Sequence, residues 1–398
     1  MKKIKYTSSF WWFVLLLLIW GYHPFLDYVY AVFYKLPGLN FFAPYIIPLI
    51  FIVVILLSAR YWGRHLDDKS ISTFMILEFV AIVYLIIYPS NASYYLEEKA
   101  AGFIFLTIPY ILIGANLNIF KCERYFYWIS IVSLLLQAVY LLLWGGRSDF
   151  ADSGDVARED MLFSYQLLPH VLMVIWQTLK KPKYWNIALS LLGVFLHLSL
   201  GTRGPVVCLA VFIVFYLFFV KLKTSKSVGI IVTLLSVAVI TYLQPIVYML
   251  NMLIMRAGLS TRIFDFMENE AINDQTGRDV IRDRLIRAMD SAPAFGYGLA
   301  GDRRLGNGEY AHNLILELIV SFGWIIGTIL IVAIFLVVVR AFMNTKNEIE
   351  KGFVLLLACL GIVKLMISGS FLDEIYFFML LGFCCSVICH KYHAPALT

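Results

Sequence analysis

The residues best suited to chemistry in this chain are arginines and one histidine. Residues 251–310 contain eight arginines, nine carboxylates and no lysine, and Arg203 stands alone in the short segment Gly201-Thr202-Arg203-Gly204-Pro205. Guanidinium groups bind phosphate or carboxylate through two hydrogen bonds and stay charged when partly dehydrated. His312 follows the arginine-rich stretch, and a neutral imidazole can act as a general base. The pattern favours an anionic substrate; the alternatives are internal ion pairs in the stretch and, for Arg203, snorkelling to lipid headgroups.

The segments that must position these residues are mostly apolar. Hydrophobic residues make up 61% of the 398 residues and charged residues only 15%, whereas a soluble domain carries about 25% charged residues. This composition excludes a soluble enzyme, a disordered protein and a coiled coil. A membrane-spanning helix needs about 20 mostly apolar residues. Such stretches occur at roughly 9–34, 43–60, 71–89, 100–120, 125–145, 161–179, 185–201, 205–220, 227–250, 311–340, 352–370 and 373–390.

We therefore predict an all-α, polytopic membrane protein with about 12 transmembrane helices and one long, partly helical outer loop. Residues 1–398 are expected to form a single integral membrane domain, with an uncleaved first helix. Placing both termini in the cytoplasm puts 18 lysines and arginines but only five carboxylates in the loops on that side, as the positive-inside rule requires. Residues 251–310 then lie outside. No cysteine falls in an outer loop, so no disulfide is predicted.

The long outer loop has two recognisable parts. Residues 278–290 read as an amphipathic helix with Ile281, Leu285 and Ala288 or Met289 on one face, expected to lie at the membrane interface. Arg278 stands at its start, where the helix dipole disfavours a cation, so an external anion is expected there. The sequence 296–301 matches GxGxxG, but it follows no strand and does not indicate dinucleotide binding. Its glycines either let the loop fold over a substrate or make it flexible.

The tenth predicted span carries the histidine. His312 opens it from the outside, where the helix dipole lowers the pKa of an imidazole and keeps it neutral; an interfacial helix cap is the alternative. Gly323 and Gly327 indicate close helix packing. Glu317 and Lys364 both lie within predicted spans and need partners. We predict that they pair with each other as a structural brace.

Four motifs around the long loop resemble the O-antigen polymerase and O-antigen ligase superfamily. They are Leu198-Ser199-Leu200-Gly201-Thr202-Arg203-Gly204, Thr276-Gly277-Arg278, Pro293-Ala294-Phe295-Gly296-Tyr297-Gly298, and Ala311-His312-Asn313 followed by Glu317, Phe322-Gly323 and Gly327. The resemblance covers roughly residues 195–330. It implies a membrane-embedded glycosyltransferase of the C type that uses sugar chains on undecaprenyl pyrophosphate, with no nucleotide sugar, no cofactor and no metal.

The resemblance also implies roles for individual residues. Arg203 and Arg278 would bind the donor pyrophosphate, and His312 would act on the acceptor hydroxyl; these are the three expected catalytic residues. Attack opposite the leaving group would invert the anomeric centre. The remaining candidates for substrate binding are Arg262, Arg282, Arg303, Arg304, Tyr310, Asn313 and Glu317.

The expected function is a polymerase of O-antigen, capsule or exopolysaccharide type, acting at the outer face of the bacterial cytoplasmic (inner) membrane in cell-envelope biosynthesis. The alternatives are an O-antigen ligase that transfers the polymer to a lipid core, and a transporter or flippase of lipid-linked sugars. A metal-dependent enzyme and a non-enzymatic scaffold are the further alternatives. Expected partners are the lipid-linked donor and acceptor, membrane lipid, and a chain-length regulator or other assembly proteins. No nucleic-acid partner is expected.

Overall fold

The computed structural model describes residues 20, 68–91, 94, 103, 107–144, 156–200, 202–221, 277–290, 292–345 and 347–389. Within these ranges every regular element is a helix and none is a strand, which confirms the predicted all-α class. The predicted spans 43–60 and 227–250, and span 9–34 apart from Trp20, lie outside the described residues.

Most of the described helices coincide with predicted apolar stretches, whereas two of them, Gly277–Met289 and Gly301–Leu305, lie in the predicted outer loop. Their bounds are α1 Asp68–Ile87, α2 Tyr110–Asn116, α3 Ile119–Trp144, α4 Val156–Lys180, α5 Tyr184–Ser199, α6 Arg203–Tyr216, α7 Gly277–Met289, α8 Gly301–Leu305, α9 Leu314–Asn344, α10 Glu348–Ala358, α11 Lys364–Ile367 and α12 Ile375–Ile388. A π-helical turn, Leu217–Lys221, continues α6, and another, Cys359–Val363, joins α10 to α11.

Three segments of the described chain are helical, long and apolar enough to cross a membrane: Ile119–Leu141, Arg203–Lys221 and Leu314–Asn344. The apolar helices Ile71–Ile87, Tyr184–Ser199 and Ile375–Ile388 are shorter. The total of about 12 spans therefore stays a prediction, as does the single integral domain. The chain forms two compact units, one of Met1–His65 with Ile119–Ala271 and the other of Leu66–Asn118 with Ile272–Thr398.

In the first unit, α3 and α4 form an antiparallel pair. The pairing runs from Gln177 Nε2, which donates to Glu123 Oε1 over 2.5 Å, to Tyr140 stacked on Phe163 with ring centroids 5.6 Å apart. Helix α5 packs on α4 at Gly193, where an added Cβ would lie 2.7 Å from a methyl of Val171. This close approach fixes α5, which leads directly into the turn that bears Arg203.

In the second unit, α2 and α12 pack backbone to backbone. A Cβ added to Gly114 would lie 2.1 Å from the carbonyl oxygen of Met379, and one added to Gly382 would lie 2.0 Å from that of Ile111. Such distances leave room only for glycine. Helix α12 also contacts α9 and α10, so these helices form one rigid support for the loops at their ends.

Helix α9 is broken at Gly323, and this corrects the predicted span 311–340. Gly323 has φ 78° and ψ 171°, which divides the helix into residues 314–322 and residues 324–344. A Cβ added to Gly327 would lie 2.8 Å from Cα of Ile319, so the second segment turns back against the first. Gly323 is therefore the break itself and not part of a helix-packing face, whereas Gly327 does serve close packing.

The break leaves helix carbonyls that another segment satisfies. The backbone N–H of Tyr297 donates to the carbonyl of Val320 over 2.8 Å, and that of Gly298 donates to Ser321 over 3.0 Å. In an unbroken helix the N–H groups four residues later would take these positions. Non-helical backbone within a membrane protein is tolerated where protein partners satisfy its polar groups. The loop 293–300 supplies those partners.

Replacing Gly296 by alanine should destabilise the protein far more than replacing Gly308. Both glycines have positive φ, 73° and 97°, but a Cβ on Gly296 would lie 2.3 Å from the Gly323 nitrogen whereas one on Gly308 meets nothing within 4 Å. Backbone strain alone costs about 1–2 kcal/mol, and forced overpacking adds about 1–3 kcal/mol. Thermal unfolding of the detergent-solubilised variants measures the difference. Equal losses would mean that the loop does not pack on the broken helix.

Candidate active site

The candidate site lies in the second unit and begins with the amphipathic helix. Helix α7 spans Gly277–Met289, against the predicted 278–290. Leu285 and Met289 are buried against Ile319 and Val320 of α9. Because its apolar residues share one face, α7 packs on residues 314–322, the first segment of the broken helix. Its location at a membrane interface stays a prediction.

Two arginines of α7 have different surroundings. Arg278, in the first turn and half-buried, donates from Nη1 to the carbonyl oxygen of Ile367 over 3.3 Å. Arg282 is mostly exposed, and its guanidinium lies 3.2 Å from Asp279 and 3.8 Å from Asp283. Arg278 faces the protein interior around His312, whereas Arg282 pairs with carboxylates of its own helix.

The loop 293–300, called the glycine loop below, is held by residues 88–91, which follow α1. Asn91 is fully buried, and its Nδ2 donates to the carbonyls of Tyr297 and Leu299 over 2.8 and 2.9 Å. The Tyr88 hydroxyl donates to the carbonyl of Gly296 over 3.1 Å. A Cβ on Gly298 would collide with the Tyr88 ring at 2.5 Å. The glycines thus serve close packing against the protein's own chain, which contradicts the interpretation as a flexible loop.

Arg304 belongs to the same contact. Its Nη1 donates to Ser90 Oγ over 2.6 Å, and its guanidinium lies 5.8 Å from the centre of the Tyr297 ring. These contacts place Arg304 where it joins the glycine loop to the loop after α1.

Arg303 lies at the centre of a buried cluster of carboxylates. Its Nη1 is 3.5 Å from Asp302 and 3.7 Å from Glu317, and its Nη2 is 3.6 Å from Asp373. The side chains of Arg303, Asp302 and Glu317 are 6%, 0% and 1% exposed, and that of Asp373 is 32% exposed. Burial raises the pKa of Asp302, and the Arg303 guanidinium opposes that rise. This geometry matches the internal ion pairing that the sequence left open.

The predicted pair of Glu317 and Lys364 is wrong. Glu317 accepts hydrogen bonds from the Ser370 hydroxyl and from the Phe371 backbone N–H, the latter over 3.0 Å. Lys364 pairs with Glu374, which also caps α12 by accepting from the N–H of Tyr376. The prediction assumed straight helices, whereas α9 is broken at Gly323 and the π-helical turn Cys359–Val363 directly precedes Lys364.

His312 lies just before the helix and not within it. Asn313 is the N-cap of α9, and its Oδ1 accepts from the N–H of Leu316 over 3.1 Å. His312 has φ 52°, a left-handed conformation that non-glycine residues adopt at a cost of about 1–3 kcal/mol. Non-glycine residues held in this way cluster at functional sites.

The environment of His312 keeps its imidazole neutral. Burial lowers its pKa to about 4, and the positive charges of Arg278 and Arg303 act in the same direction. Its Nδ1 is buried without a hydrogen-bond partner among the described residues. The Tyr310 ring lies against the imidazole, with centroids 3.9 Å apart. A neutral imidazole beside cations is the form that a general base requires.

Tyr310 joins the histidine to the cluster around Arg303. The Arg303 guanidinium lies 5.7 Å from the centre of the Tyr310 ring. Burial raises the pKa of Tyr310, while a hydrogen bond with Ser368 and the charges of Arg278 and Arg303 oppose that rise. The phenol therefore stays protonated and can donate a hydrogen bond at neutral pH.

The segment 367–374 is a part of the site that the sequence did not reveal. The carbonyl of Ile367 accepts a hydrogen bond from Arg278, and Ser368 forms a hydrogen bond with Tyr310. Ser370 and Phe371 donate to Glu317. Asp373 lies 3.6 Å from Arg303. Hydropathy divided it between the end of the predicted span 352–370 and the start of the predicted span 373–390. The available signal was Ser368-Gly369-Ser370, since Gly369 has φ 94° and ends the helix.

The expected site residues therefore fall into groups. Six lie in connected surroundings within the second unit: Arg278, Arg303, Tyr310, His312, Asn313 and Glu317. Arg203 belongs to the first unit, at the start of α6, where it is exposed between the buried residues Thr202 and Gly204. Arg262 lies outside the described residues. No group of three or more potential metal ligands occurs in the described part of the chain.

Comparison with known proteins gives one result. The family model described as O-antigen ligase matches residues 187–332, a range that contains Arg203, Arg278 and His312. No curated protein and no solved structure matches the chain. Residues 187–332 thus confirm the resemblance to the O-antigen ligase and polymerase superfamily.

Proposed function

We propose that this protein is a glycosyltransferase that joins lipid-linked oligosaccharide repeats, acting as a polysaccharide polymerase at the outer face of the bacterial inner membrane. The observation that carries the proposal is the neutral, half-buried His312 beside Arg278, inside the range that matches the O-antigen ligase family. This arrangement suits a hydroxyl acceptor and an anionic leaving group. Undecaprenyl pyrophosphate is the expected carrier.

The acceptor half of the reaction depends on His312. Its neutral imidazole accepts the proton of the acceptor sugar hydroxyl as the oxygen attacks the anomeric carbon. The Tyr310 ring against the imidazole restricts its orientation. General base catalysis of this kind contributes about 10²–10⁴-fold. Attack on the face opposite the leaving group inverts the anomeric centre.

The donor half depends on arginine. Pyrophosphate leaves with its bonding electron pair, so negative charge on its oxygens grows as the glycosidic bond breaks. Arg278 and Arg203 are the proposed ligands of these oxygens, and fixed cations stabilise such charge without reorganisation. Asn313 caps the helix directly after the proposed base. Arg282, Arg304 and Arg262 remain proposed substrate ligands.

The pH dependence of turnover should reflect the depressed pKa of His312. The pKa is lowered to about 4, so the reactive neutral form predominates at neutral pH and is lost only as the pH falls towards 4. We expect kcat/KM to stay level between pH 7 and about pH 5 and then to fall. An acid limb near pH 6.5, the ordinary histidine value, would contradict a buried neutral base. Product formation by purified enzyme in detergent at constant ionic strength measures it.

A single assay distinguishes the polymerase from its main alternative. Purified protein is incubated with one lipid-linked repeat unit, and the products are separated by size. A ladder of products supports the polymerase. The matching family is described as O-antigen ligase, which favours ligation as the second candidate: transfer only after a lipid A core is added would replace the polymerase with a ligase. Absence of transfer in both reactions would refute both.

Metal independence is a separate part of the proposal. In this mechanism arginines, and not a metal ion, stabilise the negative charge on the leaving pyrophosphate. Activity should therefore survive EDTA. Loss of activity in EDTA that returns with a divalent cation would refute this part.

A further inference from the structure

A buried hydrogen-bond chain ties the turn before Arg203 to two neighbouring helices. Thr202 Oγ1 donates to Ser164 Oγ on α4 over 2.5 Å, and Ser164 Oγ lies 2.8 Å from Nδ1 of His197 on α5. Ser164 and His197 are fully buried, and Thr202 is 9% exposed. Three helices therefore meet through three polar side chains directly behind Arg203.

The Thr202 side chain makes this contact in place of the capping hydrogen bond usual at its position. It is the N-cap of α6, a position where a threonine hydroxyl normally accepts a hydrogen bond from the first turn of the helix. Here its side chain makes no capping bond. Its hydroxyl points to Ser164 instead. The contact thus fixes where α6 begins relative to α4, and does not stabilise the helix end itself.

The Ser164 hydroxyl joins the two contacts. It accepts from Thr202 and, with one hydrogen and two lone pairs, pairs with Nδ1 of His197 as donor or acceptor according to the histidine tautomer. Nε2 of His197 is buried and has no hydrogen-bond partner in the part of the chain that is described. Removing one hydroxyl leaves a buried polar group unsatisfied.

The residues around Arg203 show what this chain holds in place. Thr202, Gly204 and Pro205 are buried, whereas Arg203 between them is exposed. The arginine therefore projects from backbone that is anchored on both sides. A charged ligand of a reacting group must be placed to within about 0.5 Å by residues whose own positions are locked.

We propose that Thr202, Ser164 and His197 are positioning residues that fix the Arg203 backbone so that its guanidinium meets the donor pyrophosphate. This inference rests on the proposed function, because it takes Arg203 as a pyrophosphate ligand. None of the three contacts the substrate. They act through Arg203 alone.

The test is Thr202→Val, which removes the hydroxyl and nearly keeps the shape, with Thr202→Ser as the matched control. We expect kcat per folded molecule to fall about tenfold in Thr202→Val, corresponding to about 1.4 kcal/mol. Thr202→Ser should restore it. Folded protein is quantified as the monodisperse fraction after gel filtration, so a change in yield alone does not alter the measured kcat.

A second variant tests the chain as a unit. Ser164→Ala should lower kcat at least as much, and the double variant Thr202→Val/Ser164→Ala should be no worse than Ser164→Ala alone, because Ser164→Ala already removes the contact with Thr202. Additive losses would overturn the inference. So would equal losses in Thr202→Val and Thr202→Ser.

Arg203→Ala, assayed in parallel, separates this inference from the proposed function. If Arg203→Ala loses turnover and Thr202→Val keeps it, the positioning role is refuted and the proposed function stands. If Arg203→Ala keeps full turnover, Arg203 is not a donor ligand and the inference fails with that part of the mechanism. Loss in both, with rescue by Thr202→Ser, is the expected result.

Discussion

His312→Ala should lower the rate of chain extension by about 10²–10⁴-fold, the contribution of a positioned general base. The substitution removes the neutral imidazole that lies between Arg278, Arg303 and Tyr310. The substitution removes few packing contacts, because His312 is only half-buried and precedes the helix. The loss should therefore appear in kcat, with the amount of folded protein unchanged. Initial rates on a lipid-linked repeat unit measure it.

Two controls make this result specific. His393→Ala removes a histidine near the C-terminus, which the proposed mechanism does not use, and should retain the wild-type rate. His312→Asn keeps a polar side chain and tolerates the left-handed conformation at this position, yet it cannot accept the proton, so it should be as inactive as the alanine variant. Wild-type polymer from either His312 variant would remove His312 from the mechanism.

Arg303→Met should destabilise the protein by about 3–5 kcal/mol, the cost of removing one partner from a buried ion pair. Asp302 and Glu317, both within 3.7 Å of Arg303 and almost fully buried, would lose the cation that compensates them. Methionine keeps the length of the side chain, so the loss reflects charge more than packing. Thermal unfolding in detergent measures it, and the yield of folded protein should fall in parallel.

The same variant separates two interpretations of Arg303. If Arg303 were chiefly a substrate ligand, Arg303→Met would fold normally and lose activity. Arg282→Met is the matched control, since Arg282 is mostly exposed and pairs only with carboxylates of its own helix; surface pairs contribute about 0–1 kcal/mol. Equal stability of the two variants would contradict a structural role for the buried cluster.

The helices could be predicted from sequence because apolar patterning determines them. The stretches 161–179 and 373–390 correspond to α4 Val156–Lys180 and α12 Ile375–Ile388. The break in α9 could not be predicted in this way, because residues 314–344 are apolar on both sides of Gly323. Hydropathy measures side chains, whereas the break depends on a backbone conformation and on a distant loop whose backbone N–H groups donate to the exposed carbonyls.

The site was predictable in its residue types and less so in its pairings. Arg278 could be selected because a cation at the start of a helix is disfavoured by the helix dipole. His312 could be selected because a polar residue at the boundary of an apolar span needs an explanation. The partners of Arg303 could not, because Glu317 and Asp373 are separated from it by 14 and 70 positions in the sequence. Charge counts show that ion pairs are available, and only the fold decides which carboxylate meets which arginine.

The docking of the glycine loop on the broken helix has a consequence for engineering. Gly296 and Gly323 approach so closely that neither can carry a side chain, and Asn91 holds the same loop from the segment after α1. A chimaera that exchanges residues 277–310 with those of a relative, in order to change the sugar it uses, would combine two surfaces that have not been matched to each other. Segment 367–374 contacts Arg278, Arg303 and Glu317 in the same way. The smallest transplantable cassette therefore consists of residues 88–91, 277–327 and 367–374.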